Sequence, residues 1–339
     1  MKTPQTVKPI GLRFQREVDA LFSAKKLFTA ENVHMVNVST GVTLEYAVHT
    51  TRMDGAEEGE GERVLMIMGF GEGKESWAPI VDFLQEKWTK SGKKKNLTIV
   101  TYDNRGCGNS TSKWGYFGTS DMAKDGLALM DHLGWKKAHI VGIRVLIVLC
   151  PASLGGMISL ELATTAPERL TTLSLLVTTR GNFDSSSATK FILKLMTTRD
   201  QEAILEMTLD QFYEKDFLSR QLEDSPETAR DVLYRLHKHK LTEVPQQSLS
   251  GFIGQSLAIR THFVSDERLA TLGKTGVPIV ILGCTDDSLV PGVESIKIWN
   301  AIGTEHARIV YYEQARHCIA LQSPDEVTQE IFNNIISAV

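Results

Sequence analysis

Three stretches of the chain carry the residue types of acyl transfer. Skipping from Gly142-Ile143 to Ser153 gives the text GISLGGM. This is a G-x-S-x-G pattern, in which a sharp strand-to-helix turn lifts a serine Oγ above a sheet. As written, the nine residues Arg144 to Ala152 separate the two halves, and Pro151-Ala152 precede Ser153 where Gly-x is expected. Ser153 is the candidate nucleophile. In the second stretch, Val280 to Pro291 (VILGCTDDSLVP), an apolar run delivers two acids to its end. Either could orient an imidazole and stabilise the imidazolium. Asp287 is preferred over Asp286 for its spacing to Leu289-Val290-Pro291; as ordinary turn aspartates they would instead cap a helix around Glu294. The third stretch, Glu313 to Pro324, holds His317, one of nine histidines. There it could take the serine proton and return it to the leaving group. An oxyanion needs backbone N–H donors. The glycine turn ending Val64 to Gly71 offers that of Phe70, and Leu154, directly after the serine, offers a second.

Those residues need a sheet edge to meet at. Short apolar runs predict strands over Val33–Ser39, Thr43–His49, Arg63–Met68, Leu97–Tyr102, Ala138–Ile143, Leu173–Thr178, Pro278–Leu282 and Ala307–Tyr312, the first two forming a hairpin at Thr40-Gly41. Helices are predicted over Met122–Leu133, Leu154–Thr165 and Asp325–Ala338. The fold class expected is α/β, a mostly parallel central sheet with helices on both faces. From Thr179 to Arg260 the alternation stops and the text becomes helical and polar, which reads as a cap over the carboxyl edge of the sheet. Expected boundaries are an extension over 1–32, core over 33–179, helical cap over 180–262 and core over 263–339. Phe191, Leu195, Phe212 and Phe252 could line an apolar pocket beneath such a cap, with core packing the stronger reading for each.

The 339 residues are 42% hydrophobic and 23% charged, enough for a sizeable core, and the net charge is −4. That balance supplies no electrostatic reason for nucleic acid or an anionic membrane as partner. The four cysteines show no CxxC pairing and suit a reducing compartment. The first residues lack the apolar core of a signal peptide, and no apolar run has the length of a membrane span. A cytoplasmic protein is expected, with its oligomeric state open.

From about Val33 to Ile336 the chain resembles the α/β-hydrolases. It is especially similar to plant and fungal members carrying YDNRGxGxS, MAKDxxALxDHLGW and GxSxGGM, here Tyr102–Ser110, Met122–Trp135 and the interrupted elbow. The order Ser153, Asp287, His317 is the one this family's triad follows. The resemblance implies a serine hydrolase acting on a carboxylic ester or related small acyl compound, with neither cofactor nor metal. It also assigns Asp103 and Arg105 to shaping a loop. Two positions depart from the pattern: Met68 stands where many relatives have histidine, and Arg316 replaces the glycine before the catalytic histidine.

The interruption sets up a contest for the strand slot before Ser153. Ala138–Ile143 is the strand the resemblance selects. Val145 to Cys150, β-branched and continuously apolar, suits burial at least as well. Pro151 adds ring atoms and removes an N–H where glycine permits close approach. Weakened elbow geometry is expected, since a displacement of about 1 Å can cost roughly a hundredfold in rate. The competing reading is a small-molecule binding protein on a hydrolase scaffold. A third is that Arg144–Ala152 comes from a retained intron; uniform transcript reads through the segment would sink it.

Overall fold

The structure, a computed structural model, describes residues 5–7, 11–57, 59–143, 154–184, 186–243 and 247–339. Nine strands form one sheet: β1 (Gln5–Val7), β2 (Val33–Asn37), β3 (Thr43–Thr51), β4 (Gly61–Ile67), β5 (Asn96–Tyr102), β6 (Ala138–Gly142), β7 (Leu170–Leu176), β8 (Ile279–Cys284) and β9 (Ala307–Tyr312). Their order is β1-β9-β8-β7-β6-β4-β5-β3-β2. β2 and β3 are an antiparallel hairpin, and β3 runs antiparallel to β5. Every other pairing is parallel. Burial follows position. All residues of β6 and β8 are buried, as parallel strands covered on both faces must be, whereas the edge strand β2 has none buried.

Alternate residues of the central strands feed two cores. Val64, Met66 and Val141 pack with Leu84, Trp88 and Ile331 from the helices Ala78–Lys90 and Pro324–Ile336. Leu65, Ile67 and Ile140 face the other way, onto Leu129, Ile158 and Ile298 from the helices Thr119–His132, Leu154–Thr165 and Val293–Ile302. The period of two along each strand thus sets the three-layer architecture.

The slot between β4 and β7 is taken by Ala138–Gly142, in register from Val64↔His139 to Ile67↔Gly142. Its polar member is accommodated, because His139 Nδ1 meets Thr172 Oγ1 at 2.9 Å and Nε2 meets Glu62 Oε2 at 3.0 Å. Hydrogen bonding to His139 leads the effects that hold the Glu62 carboxyl down at about 2. The competing segment Val145–Cys150 lies outside the described residues, as do Arg144, Pro151, Ala152 and Ser153.

Between β7 and β8 the chain is helical, over Ser186–Thr197, Gln201–Phe212, Lys215–Leu218, Ala229–Glu243, Leu249–Thr261 and Asp266–Gly273. Its β-type pairings among the described residues are isolated bridges, Gly181 with Phe263 and Gln221 with Thr228. Strand β1 was not foreseen. It is three residues long and adds at the sheet edge beside β9. Among the described residues no helix is long and apolar enough to cross a membrane.

Candidate active site

The candidate residues that the structure describes stand at the carboxyl ends of neighbouring parallel strands. β8 ends at Cys284 and leads to Asp287, while β9 ends at Tyr312 and leads to His317. Both side chains are buried, with His317 Nδ1 2.5 Å from Asp287 Oδ2. The other carboxylate oxygen, Oδ1, accepts the Leu289 and Val290 N–H groups at 2.9 and 3.0 Å. The Leu289-Val290 spacing therefore has a direct physical use, since it supplies two backbone donors that fix the carboxylate plane. Asp286 points elsewhere and accepts from Thr285 Oγ1 at 2.6 Å. With Nδ1 donating to Asp287, Nε2 of a neutral His317 is the basic nitrogen.

The strand β4 ends at Ile67 and runs into Met68-Gly69-Phe70-Gly71. Gly71 takes φ +68°, a left-handed value that glycine adopts without strain. Its N–H donates to Gln255 Oε1 at 3.0 Å. Phe70 is fully buried, and its N–H has no acceptor among the described residues, which makes it the available donor of this turn. Met68, at the position of the expected histidine, contributes its carbonyl to Asn104 Nδ2 at 2.6 Å.

Leu154 opens the helix Leu154–Thr165, buried from its first residue. The helix can start there because of Gly155: a Cβ on it would fall 2.3 Å from the carbonyl oxygens of both Ile143 and Ile67. Its backbone consequently sits against the ends of β4 and β6. The N–H groups of a helix's first turn have no partner within the helix, and that of Leu154 is one of them. Ser153, immediately before Leu154 in sequence, lies outside the described residues.

The helical segment 186–261 touches this edge on two sides. Phe252 meets Phe70 edge-on, with centroids 5.6 Å apart, and the fully buried Gln255 bridges Gly71 to Arg105 O at 2.9 Å and Cys107 Sγ at 3.1 Å. On the other side Phe212 meets the His317 ring edge-on at 6.2 Å, with Phe191 behind it at 5.7 Å. Leu195 is buried as well. Arg316, the substitute for glycine, reaches from beside His317 to Glu214 Oε1 at 2.6 Å and to Asp210 O at 2.5 Å. Sequence reasoning missed the partners of Gln255 and Arg316. For Arg316 the signal was present, a cation in place of a glycine; for Gln255 there was none.

Asp103 and Arg105 hold loops. Asp103 Oδ1 accepts Lys74 N–H at 2.6 Å, and Lys74 Nζ lies among Glu45, Glu75 and Asp103. Burial works against the Lys74 charge, but these carboxylates outweigh it and raise its pKa. Arg105 grips Asp125 with two bonds of 2.6 Å. Among the described residues no group of three His, Cys, Asp or Glu side chains is placed to hold a metal ion.

Residues 62–324 match the family described as alpha/beta hydrolase fold. A protein of Agrobacterium fabrum named "Putative carbamate hydrolase RutD" is 23% identical over 292 residues, covering 84% of this chain and 97% of its own. Its namesake in Caulobacter segnis is 35% identical over 127 residues, covering 37% of this chain and 39% of its own. Among solved structures, a hydrolase from Pseudomonas aeruginosa PA01 superposes with TM-score 0.64 at 22% identity, over 91% of this chain and 99% of that one. An enol-lactonase from Burkholderia xenovorans LB400 superposes with TM-score 0.67 at 20% identity, over 89% and 100%. At these identities the superpositions speak to fold. The family match covers most of the chain, the sheet order and the helical layers agree with it, and the chain belongs to the α/β hydrolase fold family.

Proposed function

We propose that this hydrolase is a serine enzyme that cleaves a carboxylic ester or a related small acyl compound, carbamates included. The observation that carries the reading is the buried 2.5 Å contact between His317 Nδ1 and Asp287 Oδ2, with Oδ1 already committed to two backbone donors. In this reading Ser153 Oγ attacks the substrate carbonyl carbon while His317 Nε2 takes its proton. Asp287 keeps the Nδ1–H tautomer and stabilises the imidazolium. The Phe70 and Leu154 N–H groups receive the oxyanion. His317 then protonates the leaving group, and water repeats the sequence on the acyl-enzyme. The helices of residues 180–262 act as a cap that supplies the apolar wall around Phe212 and Phe252. The likeness to proteins named for carbamate hydrolysis supports an acyl–heteroatom bond as the target.

A second reading, a weakly catalytic binding protein, is favoured by one feature: Pro151 stands two residues before Ser153 and ten residues separate Ile143 from Leu154. The test is fluorophosphonate labelling with peptide mapping, on this chain and on one lacking Arg144–Ala152. Labelling of both at Ser153, together with ester turnover lost in Ser153→Ala, is the expected outcome. Labelling of the shortened form alone favours the binding reading for the chain as written, and labelling of neither overturns the serine mechanism.

A further inference from the structure

The acid and the base of the proposed triad sit on separate loops after β8 and β9, and the 2.5 Å contact between them holds only if those loops keep their spacing. One short stretch of the helical segment, Asp210 to Glu214, where the helix Gln201–Phe212 ends, contacts both. Gln211 Nε2 donates to Ser288 Oγ at 2.7 Å, directly beside Asp287. Phe212 packs edge-on against the ring of His317. Glu214 Oε1 and the Asp210 carbonyl accept from Arg316 Nε and Nη1, directly beside His317. Four of these five residues thus reach the neighbour of the acid, the base itself and the neighbour of the base. The reach spans 77 residues to Ser288 and 102 from Glu214 to Arg316.

From this convergence we infer that the Asp210–Glu214 stretch is a clamp that sets the Asp287–His317 geometry, with Arg316 as its positioning residue. The inference rests on the reading of His317 as general base. A glycine before His317 would leave its loop to find its own place. Arginine fixes it to the cap through a planar fork that meets a carboxylate and a carbonyl in one geometry. The guanidinium and Glu214 are each about a quarter exposed, 26% and 24% for the side chains. Such a pair contributes little to global stability, so its main effect falls on the position of the base. Proton transfer is steeply sensitive to that position, about a hundredfold for 1 Å. Lysine presents one point charge and cannot span both acceptors.

The experiment measures kcat and KM for p-nitrophenyl acetate, with thermal melting, in Arg316→Ala, Arg316→Lys, Glu214→Gln, the Arg316→Ala/Glu214→Gln double variant and His317→Ala. The expected result is a fall in kcat of about ten- to a hundredfold in Arg316→Ala. KM and melting temperature are expected to change little, and Arg316→Lys to recover only part of the rate. The double variant should be no slower than Arg316→Ala, because both changes open one clamp. If His317→Ala abolishes turnover while every Arg316 and Glu214 variant stays within twofold of the parent, the clamp is refuted and the triad stands. If the double variant shows the product of two independent losses, the clamp is likewise refuted. If His317→Ala turns over normally, the reading of His317 as base fails, and the clamp with it.

Discussion

The sharpest consequence of the site geometry concerns Asp287→Asn. Oδ1 of Asp287 accepts two backbone N–H groups, from Leu289 and Val290, and Oδ2 faces His317 Nδ1. An asparagine in this place has one oxygen and one NH2 group. Turning the NH2 toward Leu289 and Val290 would leave buried donors facing a donor, at a cost of about 1–3 kcal/mol for each unsatisfied group. The amide oxygen is therefore expected to keep the two backbone bonds, so that Nδ2–H points at His317. A donor there forces Nδ1 to accept, which places the imidazole proton on Nε2, the nitrogen that should receive the serine proton. The variant keeps the shape of the site and loses its base. A wrong tautomer of this kind costs about 10⁴-fold in kcat, or about 5.5 kcal/mol of transition-state stabilisation. Steady-state turnover of p-nitrophenyl acetate reads the loss, with fluorophosphonate labelling rate as an independent measure. Asp286→Asn is the internal control and should stay within about twofold, since the Asp286 carboxylate accepts from the adjacent Thr285 and the substitution leaves its backbone bond to Ala315 O in place. Turnover of a folded Asp287→Asn within tenfold of the parent, or an equal loss in Asp286→Asn, would refute the reasoning.

Three further outcomes follow from the packing. Gly155→Ala would drive a Cβ to 2.3 Å from two backbone carbonyl oxygens that cannot rotate away; destabilisation of about 3 kcal/mol is expected, checked by urea unfolding, and a loss below 1 kcal/mol would show that the helix start is mobile. Gln255→Leu strips the acceptor of Gly71 N–H and the donor to Arg105 O from a fully buried site; roughly 2–4 kcal/mol should be lost, together with kcat if the Phe70 turn moves with Gly71. Burial depresses His237 and His262 to about 3 and His49 to about 4. The folded protein then binds fewer protons than the unfolded chain below pH 6.5, so their stabilisation is complete above that pH and is lost as pH falls toward 3–4. Each group should cost up to about 2 kcal/mol between pH 6.5 and pH 5, and a urea midpoint that stays flat across that window would contradict it.

How much of this was legible in the sequence depended on where the deciding interaction lay. Strand β9 was read with the residues it occupies, because Ala307–Tyr312 is a compact run with clear ends. The helix from Leu154 to Thr165 was equally plain, since its small residues and the following proline state its limits locally. Composition alone could not separate Ala138–Ile143 from Val145–Cys150. What fits the former to the slot is non-local: His139 finds Thr172, 33 residues on, and Glu62, 77 residues back. Strand β1 lacked any signal because a three-residue edge pairing needs only its partner. The pairing of His317 with Asp287 could be anticipated from order and spacing, whereas the Arg316 fork could not, since its acceptors lie about a hundred residues away.

The approach of Gly155 to Ile143 has a consequence for how this gene product would be judged by the cell. The described residues on either side of positions 144–153 meet, since a Cβ on Gly155 would fall 2.3 Å from the Ile143 carbonyl oxygen. A connection whose ends already meet can change length cheaply, since each doubling adds only about 0.6 kcal/mol of closure entropy. Closing the same ends over one residue in place of ten is just over three such doublings, about 2 kcal/mol, a difference that chaperones and proteases can register. Selection would then see two separate differences, one in the folded fraction and one in the chemistry at Ser153. Expression level or solubility would be a poor guide to which form works.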